Sequence, residues 1–160
     1  VCKLPTAFGE FKLVAYRDLI EREMHLALVK GEISAEQPTL VRVHMQNTLC
    51  DLFANQRSDC GWPLHGALEC IARQGSGIAV VLRQQETADE LLRHIKDYQL
   101  EDEGVSLPCE GKGADLRTYG IGAQILLDLG VRRMRVMSSP KRMHGLPGFG
   151  LEVVEYISQE

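Results

Sequence analysis

The stretch from Pro63 to Leu82 constrains this chain most. After Pro63, the apolar residues Leu64, Ala67, Leu68, Ile71 and Ala72 recur at i, i+3, i+4, i+7 and i+8, one face of an α-helix. Proline fits the first turn because its missing N–H would have no intrahelical partner there. Gly75-Ser76-Gly77 ends the segment, and Ile78-Ala-Val-Val-Leu82 follows without a polar residue. A strand with no polar alternate has the pattern of one covered on both faces. The same run is far too short to cross a bilayer.

The rest of the second half keeps the rhythm. Thr87-x-x-Glu90 is a capping box ahead of Leu91, Leu92, Ile95 and Tyr98, predicting a helix over Ala88–Gln99. Glu101–Lys112 is acidic, carries Gly and Pro, and is expected as a loop. Ile121, Ile125 and Leu129 form the stripe of a helix from near Tyr119 to Leu129, stopped by Gly130. Met134–Met137 is a strand, Ser138–Gly150 a long loop and Leu151–Ile157 a closing strand. Phe11–Arg17, Met24–Lys30 and Thr39–His44 are strand-like in the first half, with a polar turn over Glu32–Pro38. The expected fold is α/β: a single domain over residues 1–160, with a mixed, partly parallel sheet flanked by helices.

Hydrophobic residues at 44% and charged residues at 25% exclude a disordered or collagen-like chain. Eighteen Lys and Arg against 22 Asp and Glu give a net charge of −4, so the basic footprint of a nucleic-acid binder is missing, although Arg132-Arg133-Met134-Arg135 could meet a phosphate. Neither nucleic acid nor membrane is an expected partner. The chain opens on Val1 without a basic-then-apolar leader, which points to a piece of a longer, cytoplasmic protein. The five cysteines, at 2, 50, 60, 70 and 109, show no C-x-x-C pair and are expected as reduced thiols.

Three neighbourhoods could carry chemistry. Asp115 and Arg117 precede a helix, where a carboxylate beside a guanidinium is either an anion handle or a solvated ion pair at a helix start. Ser138-Ser139-Pro140-Lys141-Arg142 follows a strand and offers hydroxyls, amides and cations to a phosphate; it reads equally as a polar turn. His44, Cys50, Ser58, Asp59 and Cys60 gather potential metal ligands, but with two thiols against the three or four thiolate or imidazole donors of a zinc site; a lone cysteine ordinarily serves as a small buried hydrophobe. His25, His65, His94 and His144 have no evident partners in sequence, and Arg83 and Tyr98 stay ambiguous.

Several motifs, in order and spacing, carry a resemblance: Leu4-Pro-Thr-Ala-Phe-Gly-Glu-Phe11, Val41-Arg-Val-His44, Asp59-Cys-Gly61, Gly113-Ala-Asp-Leu-Arg-Thr-Tyr-Gly-Ile-Gly-Ala-Gln124, Leu129-Gly-Val131 and Gly148-Phe-Gly-Leu-Glu-Val-Val-Glu-Tyr156. Over essentially its whole length the chain resembles GTP cyclohydrolase II of riboflavin biosynthesis. More narrowly, it resembles the C-terminal half of fusions with 3,4-dihydroxy-2-butanone 4-phosphate synthase. The resemblance implies a homodimer, a fused synthase upstream, and the conversion of GTP to 2,5-diamino-6-ribosylamino-pyrimidinone 5'-phosphate, formate and pyrophosphate. It also implies a zinc-bound water that attacks the guanine ring, with magnesium at the phosphates. Tyr98, Asp115 and Arg117 match the family's catalytic tyrosine, proton-transfer aspartate and nucleophilic arginine; Arg42, Lys141 and Arg142 match substrate-binding positions.

The chain departs from the family most at two motifs, and in smaller ways at Gln46, at Pro63 and in the Ser138–Arg142 loop, which is one residue shorter. The zinc pattern C-x10-C-x-C falls on Asn47, Ser58 and Cys60, so two thiolates are replaced by an amide and a hydroxyl, poor zinc ligands near neutral pH. Cys50 lies three residues late, on the opposite strand face if the strand continues. The nucleotide turn R-x-E-G-R-x-x-G-L reads Arg83-Gln-Gln-Glu-Thr-Ala-Asp-Glu-Leu91: both glycines are gone, Thr87 stands for the second arginine, and Glu86, Asp89 and Glu90 bring negative charge to where a triphosphate would lie. Like charges this close repel. The expectation is a domain without bound zinc or magnesium that has lost ring opening and serves a fused synthase structurally or as a regulator. The alternatives are an active cyclohydrolase with a metal site rebuilt from His44, Cys50, Asp59 and Cys60, and a sensor that binds GTP or phosphate weakly. Asp115 and Arg117 would then serve phosphate chemistry or hold their loop together as an ion pair.

Overall fold

The computed structural model describes residues 1–84, 86–105, 116–138 and 150–158, with the backbone alone at 116–119. Within them runs a seven-stranded sheet of order β1-β2-β3-β5-β4-β6-β7. The strands are β1 Cys2–Thr6, β2 Gly9–Arg17, β3 Met24–Lys30, β4 Thr39–Met45, β5 Gly77–Leu82, β6 Arg133–Met137 and β7 Glu152–Ile157; the helices are α1 Thr48–Asp51, α2 Leu64–Gln74, α3 Ala88–Asp102 and α4 Leu116–Asp128. β1, β2, β3 and β5 pair antiparallel, whereas β5, β4, β6 and β7 run parallel. The sheet is therefore mixed and partly parallel, as the strand-and-helix rhythm predicts.

β5 is buried at every position, Gly77 through Leu82. On one face Phe11, Leu28, Leu40 and Ala79 meet Ala67, Leu68 and Ile71 of α2. On the other Val14, Ala27, Val41, Ile78 and Val80 meet Ala123, Ile125 and Leu126 of α4. At roughly 2 kcal/mol for each large side chain removed from water, this two-sided burial is the main stabilising force on the sheet.

Several boundaries differ from the sequence reading. β1 is an additional strand, and its Pro5 is tolerated because the strand forms the sheet edge. Pro63 takes the N-cap position, one residue ahead of α2. α3 extends through Glu101 and Asp102, expected as loop, and Arg57 pairs with both carboxylates at 3.2 and 2.8 Å. α4 begins at Leu116, three residues before Tyr119. The predicted capping box is present, Thr87 Oγ1 accepting from Glu90 N and Glu90 Oε2 from Thr87 N, both at 3.2 Å.

Candidate functional site

Parallel strands place ligand sites beyond their carboxyl ends, where each strand hands over to a loop. At that end β4 leads into α1, and β5 into residues 83–87. α2 and α4 each run back to start a parallel strand, so their first turns lie at the same end as those loops. Residues 40, 42 and 44 alternate toward the α2 side of the sheet, and this puts Arg42 and His44 beneath the 47–62 segment.

Arg42 is a half-buried cation held by main-chain carbonyls. Nη1 donates to Met137 O at 3.2 Å and Nη2 to Trp62 O at 3.1 Å, while Nε has no partner among the described residues. Burial pushes its pKa down to about 10. This guanidinium ties the end of β4 to β6 and to the segment ahead of α2. Trp62 continues the tie, its Nε1 donating to Ile157 O of β7 at 3.0 Å. Arg83 Nε donates to Gln46 Oε1 at 3.2 Å and joins the ends of β5 and β4.

His44 is buried, and its Nε2–H donates to Asp51 Oδ1 at 2.8 Å. Its Nδ1 faces Arg42 Nη2 at 3.4 Å. Burial lowers its pKa, against the opposing pull of Asp51 and with help from Arg42. His25, also buried, accepts from Arg83 N at 3.1 Å, and its pKa is lowered mainly by burial, against Asp18, Glu23 and Glu21. Both rings are more readily protonated in the unfolded chain, near its usual value of about 6.5. Their contribution is therefore complete above that pH and is lost as pH falls below it. The denaturation midpoint is expected to drop between pH 7.5 and 5.5, less so in His25→Gln; an equal midpoint at both values would refute this.

Beyond Met45 the chain turns. Asn47 caps α1, its Oδ1 accepting from Leu49 N at 3.1 Å and Cys50 N at 3.2 Å. Asp51 Oδ2 accepts from Asn47 N at 2.9 Å. This one-turn helix corrects two expectations together. Cys50 does not lie on the opposite face of a continued strand; helical rotation brings it to Cys60, with a Cα–Cα distance of 5.6 Å, and the two form a disulfide. These two cysteines are therefore not reduced thiols, whereas Cys2 and Cys70 are free. Ser58 opens the 3₁₀ turn Ser58–Cys60.

Asp59 is the centre of a polar cluster that joins this turn to α3. Tyr98 O–H donates to its carboxylate at 3.0 Å, His94 Nε2–H at 3.2 Å, and Asn55 Nδ2 donates in turn to Tyr98 Oη at 3.1 Å. Burial first, then the Asp59 carboxylate, raises the Tyr98 pKa, so its hydroxyl stays neutral. Arg57 stacks over the Tyr98 ring with its guanidinium carbon 4.2 Å from the centroid. Tyr98 Oη lies 3.9 Å from Cys60 Sγ. A pocket of about 450 Å³ opens beside them, lined by Asn55, Arg57, Ser58 and Gly61 among others.

Two positions picked from sequence, Tyr98 and Cys60, thus meet. Asp115, Lys141 and Arg142 lie outside the described residues, and Arg117 is described by its backbone in the first turn of α4. Of the four residues considered for a rebuilt metal site, His44 faces Asp51, Asp59 faces Tyr98 and His94, and the two cysteines are bonded to each other. Asn55, Arg57 and His94 were not singled out for the site in sequence. For His94 the signal is spacing alone, since His94, Tyr98 and Glu101 share one face of α3; Asn55 and Arg57 carry none.

The profile of the GTP cyclohydrolase II family matches residues 1–158. The riboflavin biosynthesis protein RibBA of Chlorobium phaeovibrioides is 48% identical over 98% of this chain, and that of Bacillus cytotoxicus 42% identical over 96%. The chain spans 40% of the length of each of these relatives. Among solved structures, RibBX from A. baumannii, a two-domain 3,4-dihydroxy-2-butanone 4-phosphate synthase, superposes with a TM-score of 0.61 at 31% identity, covering 99% of this chain and 39% of that one. Matched over residues 1–158 by the family profile, this chain belongs to the GTP cyclohydrolase II family.

Proposed function

We propose that this domain has lost the ring-opening chemistry of its family and acts, within a cytoplasmic riboflavin-biosynthesis protein, as a structural or regulatory partner of a synthase domain on the same chain. The observation that carries the reading is the use made of the three zinc-ligand positions. Asn47 spends its amide oxygen on capping α1, Ser58 supplies a hydroxyl, and the sulfur of Cys60 is bonded to Cys50. A sulfur held in a disulfide cannot become the thiolate that zinc needs, and a hydroxyl does not ionise near neutral pH. These residues do not fit zinc.

The nucleotide side supports the same reading. The turn that would approach a triphosphate is the acidic first turn of α3, with Asp89 and Glu90 beside the Thr87 cap. A homodimer is part of the proposal by family likeness. The relatives carry further chain equal to about three-fifths of their length, and RibBX is named for its synthase activity, which favours a synthase as the partner. The test is metal analysis of the purified protein alongside formate release from GTP. Less than one-tenth equivalent of zinc and no formate above the enzyme-free rate are expected; stoichiometric zinc with turnover would overturn the proposal.

A further inference from the structure

The disulfide has a consequence independent of what the domain does with nucleotides. The described part of α3 buries one residue, His94, and that residue is bonded to Asp59. Its other ties to the 55–60 segment are polar: Tyr98 to Asp59 and Asn55, and Glu101 and Asp102 to Arg57. Among the described residues, four side chains of α3 (His94, Tyr98, Glu101 and Asp102) are thus tied to the loop between Cys50 and Cys60. That loop is anchored at its start by Asp51 on His44 and just past its end by Arg42 on the Trp62 carbonyl. Between those anchors the disulfide is the one covalent crosslink among the described residues. Both cysteines are half-buried rather than sealed, so a small thiol can reach them.

We propose that Cys50 and Cys60 form a reversible redox latch, opened by dithiol reductants, that governs how firmly the 50–60 loop and helix α3 are held to the sheet. The exchange balances as two electrons and two protons. A thiolate of the dithiol attacks one sulfur, forming a mixed disulfide, and the other protein sulfur leaves as a thiolate and takes up a proton. The second thiol of the reductant, deprotonated, then displaces the first protein sulfur, which is protonated in turn. Two protein thiols and one cyclic reductant disulfide result. Opening the crosslink restores conformational freedom to residues 51–59, and the carboxylate of Asp59 and the guanidinium of Arg57 lose their fixed positions with it. The oxidised dithiol, itself a disulfide, closes the latch by the same exchange run backward and is reduced to the dithiol.

Two measurements on the intact protein test this. Alkylation and peptide mapping after air oxidation should find the Cys50 and Cys60 peptides linked, with Cys2 and Cys70 alkylated; after dithiothreitol both linked positions should take up label. Free Cys50 and Cys60 thiols in the oxidised sample would overturn the latch, as would a crosslink that resists dithiothreitol. Hydrogen exchange then reads the coupling. Reduction should speed exchange about tenfold across 51–59 and 94–102 and leave 78–82 unchanged. Cys50→Ser should exchange at the reduced rate whatever the redox state. Equal exchange of α3 in the oxidised and reduced protein would end the proposal, and so would loss of protection in β5, which would mark general unfolding.

Discussion

Gly77→Ala is expected to cost about 3 kcal/mol of stability and to lower the melting temperature by roughly 10 °C. Gly77 opens β5, the strand buried on both faces, and its φ of 156° is one that residues with a Cβ rarely adopt. An added Cβ would lie 2.8 Å from Leu40 O and 3.0 Å from Ile71 Cγ1. The first of these is backbone of β4 and the second belongs to the helix above, so neither yields without moving β4 or α2. Gly75→Ala, two residues earlier, is the internal comparison. There φ is 86° with nothing within 4 Å, so the cost is the left-handed backbone alone, about 1 kcal/mol. Thermal denaturation of both variants checks the pair, and equal losses would refute the close-approach argument.

The second large effect is a gain. Asn47→Cys and Ser58→Cys, combined with Cys50→Ser, are expected to give a protein that retains one equivalent of zinc through dialysis where the parent retains almost none. The substitutions free Cys60 from its crosslink and place three thiols at the family's spacing. Thiolate sites of this kind bind zinc with on the order of 10 kcal/mol, ample for retention. Removing the Asn47 cap costs about 1 kcal/mol of local helix stability, which the metal would more than offset. Failure of the triple variant to hold metal would mean that the backbone of the turn, and not merely its side chains, has moved away from a coordinating geometry.

How far the sequence reveals this molecule depends on whether a signal is periodic or spatial. α2 and β5 were legible because burial imposes a period, helical on Ala67, Leu68 and Ile71 and continuous on Ile78–Leu82. β1 was not, because an edge strand with Lys3 and Pro5 largely in solvent has no alternation to read. Glu101 and Asp102 look like loop because charge density ordinarily marks one, yet they lie in α3 and pair with Arg57, more than forty residues away. At the site, Tyr98 and Cys60 were named from the family pattern and stand side by side. The pairing of Cys50 with Cys60 was illegible for a definite reason. A strand places residues i and i+3 on opposite faces, whereas a helical turn returns them to nearly the same one, and the choice between these hangs on the Asn47 cap.

The strand order also bears on how the molecule assembles. β1, β2 and β3 neighbour one another in both sequence and space, so hairpin zipping can bring them together within microseconds. β5 then has to insert between β3 and β4, although β4 is made before it, and its place is reached only through the α2 crossover. Pairings this distant in sequence raise contact order and slow the search. Until that insertion, the inner edge of β3 stands open as an unpaired template, and the interval before β5 docks is when two nascent chains are most apt to join wrongly.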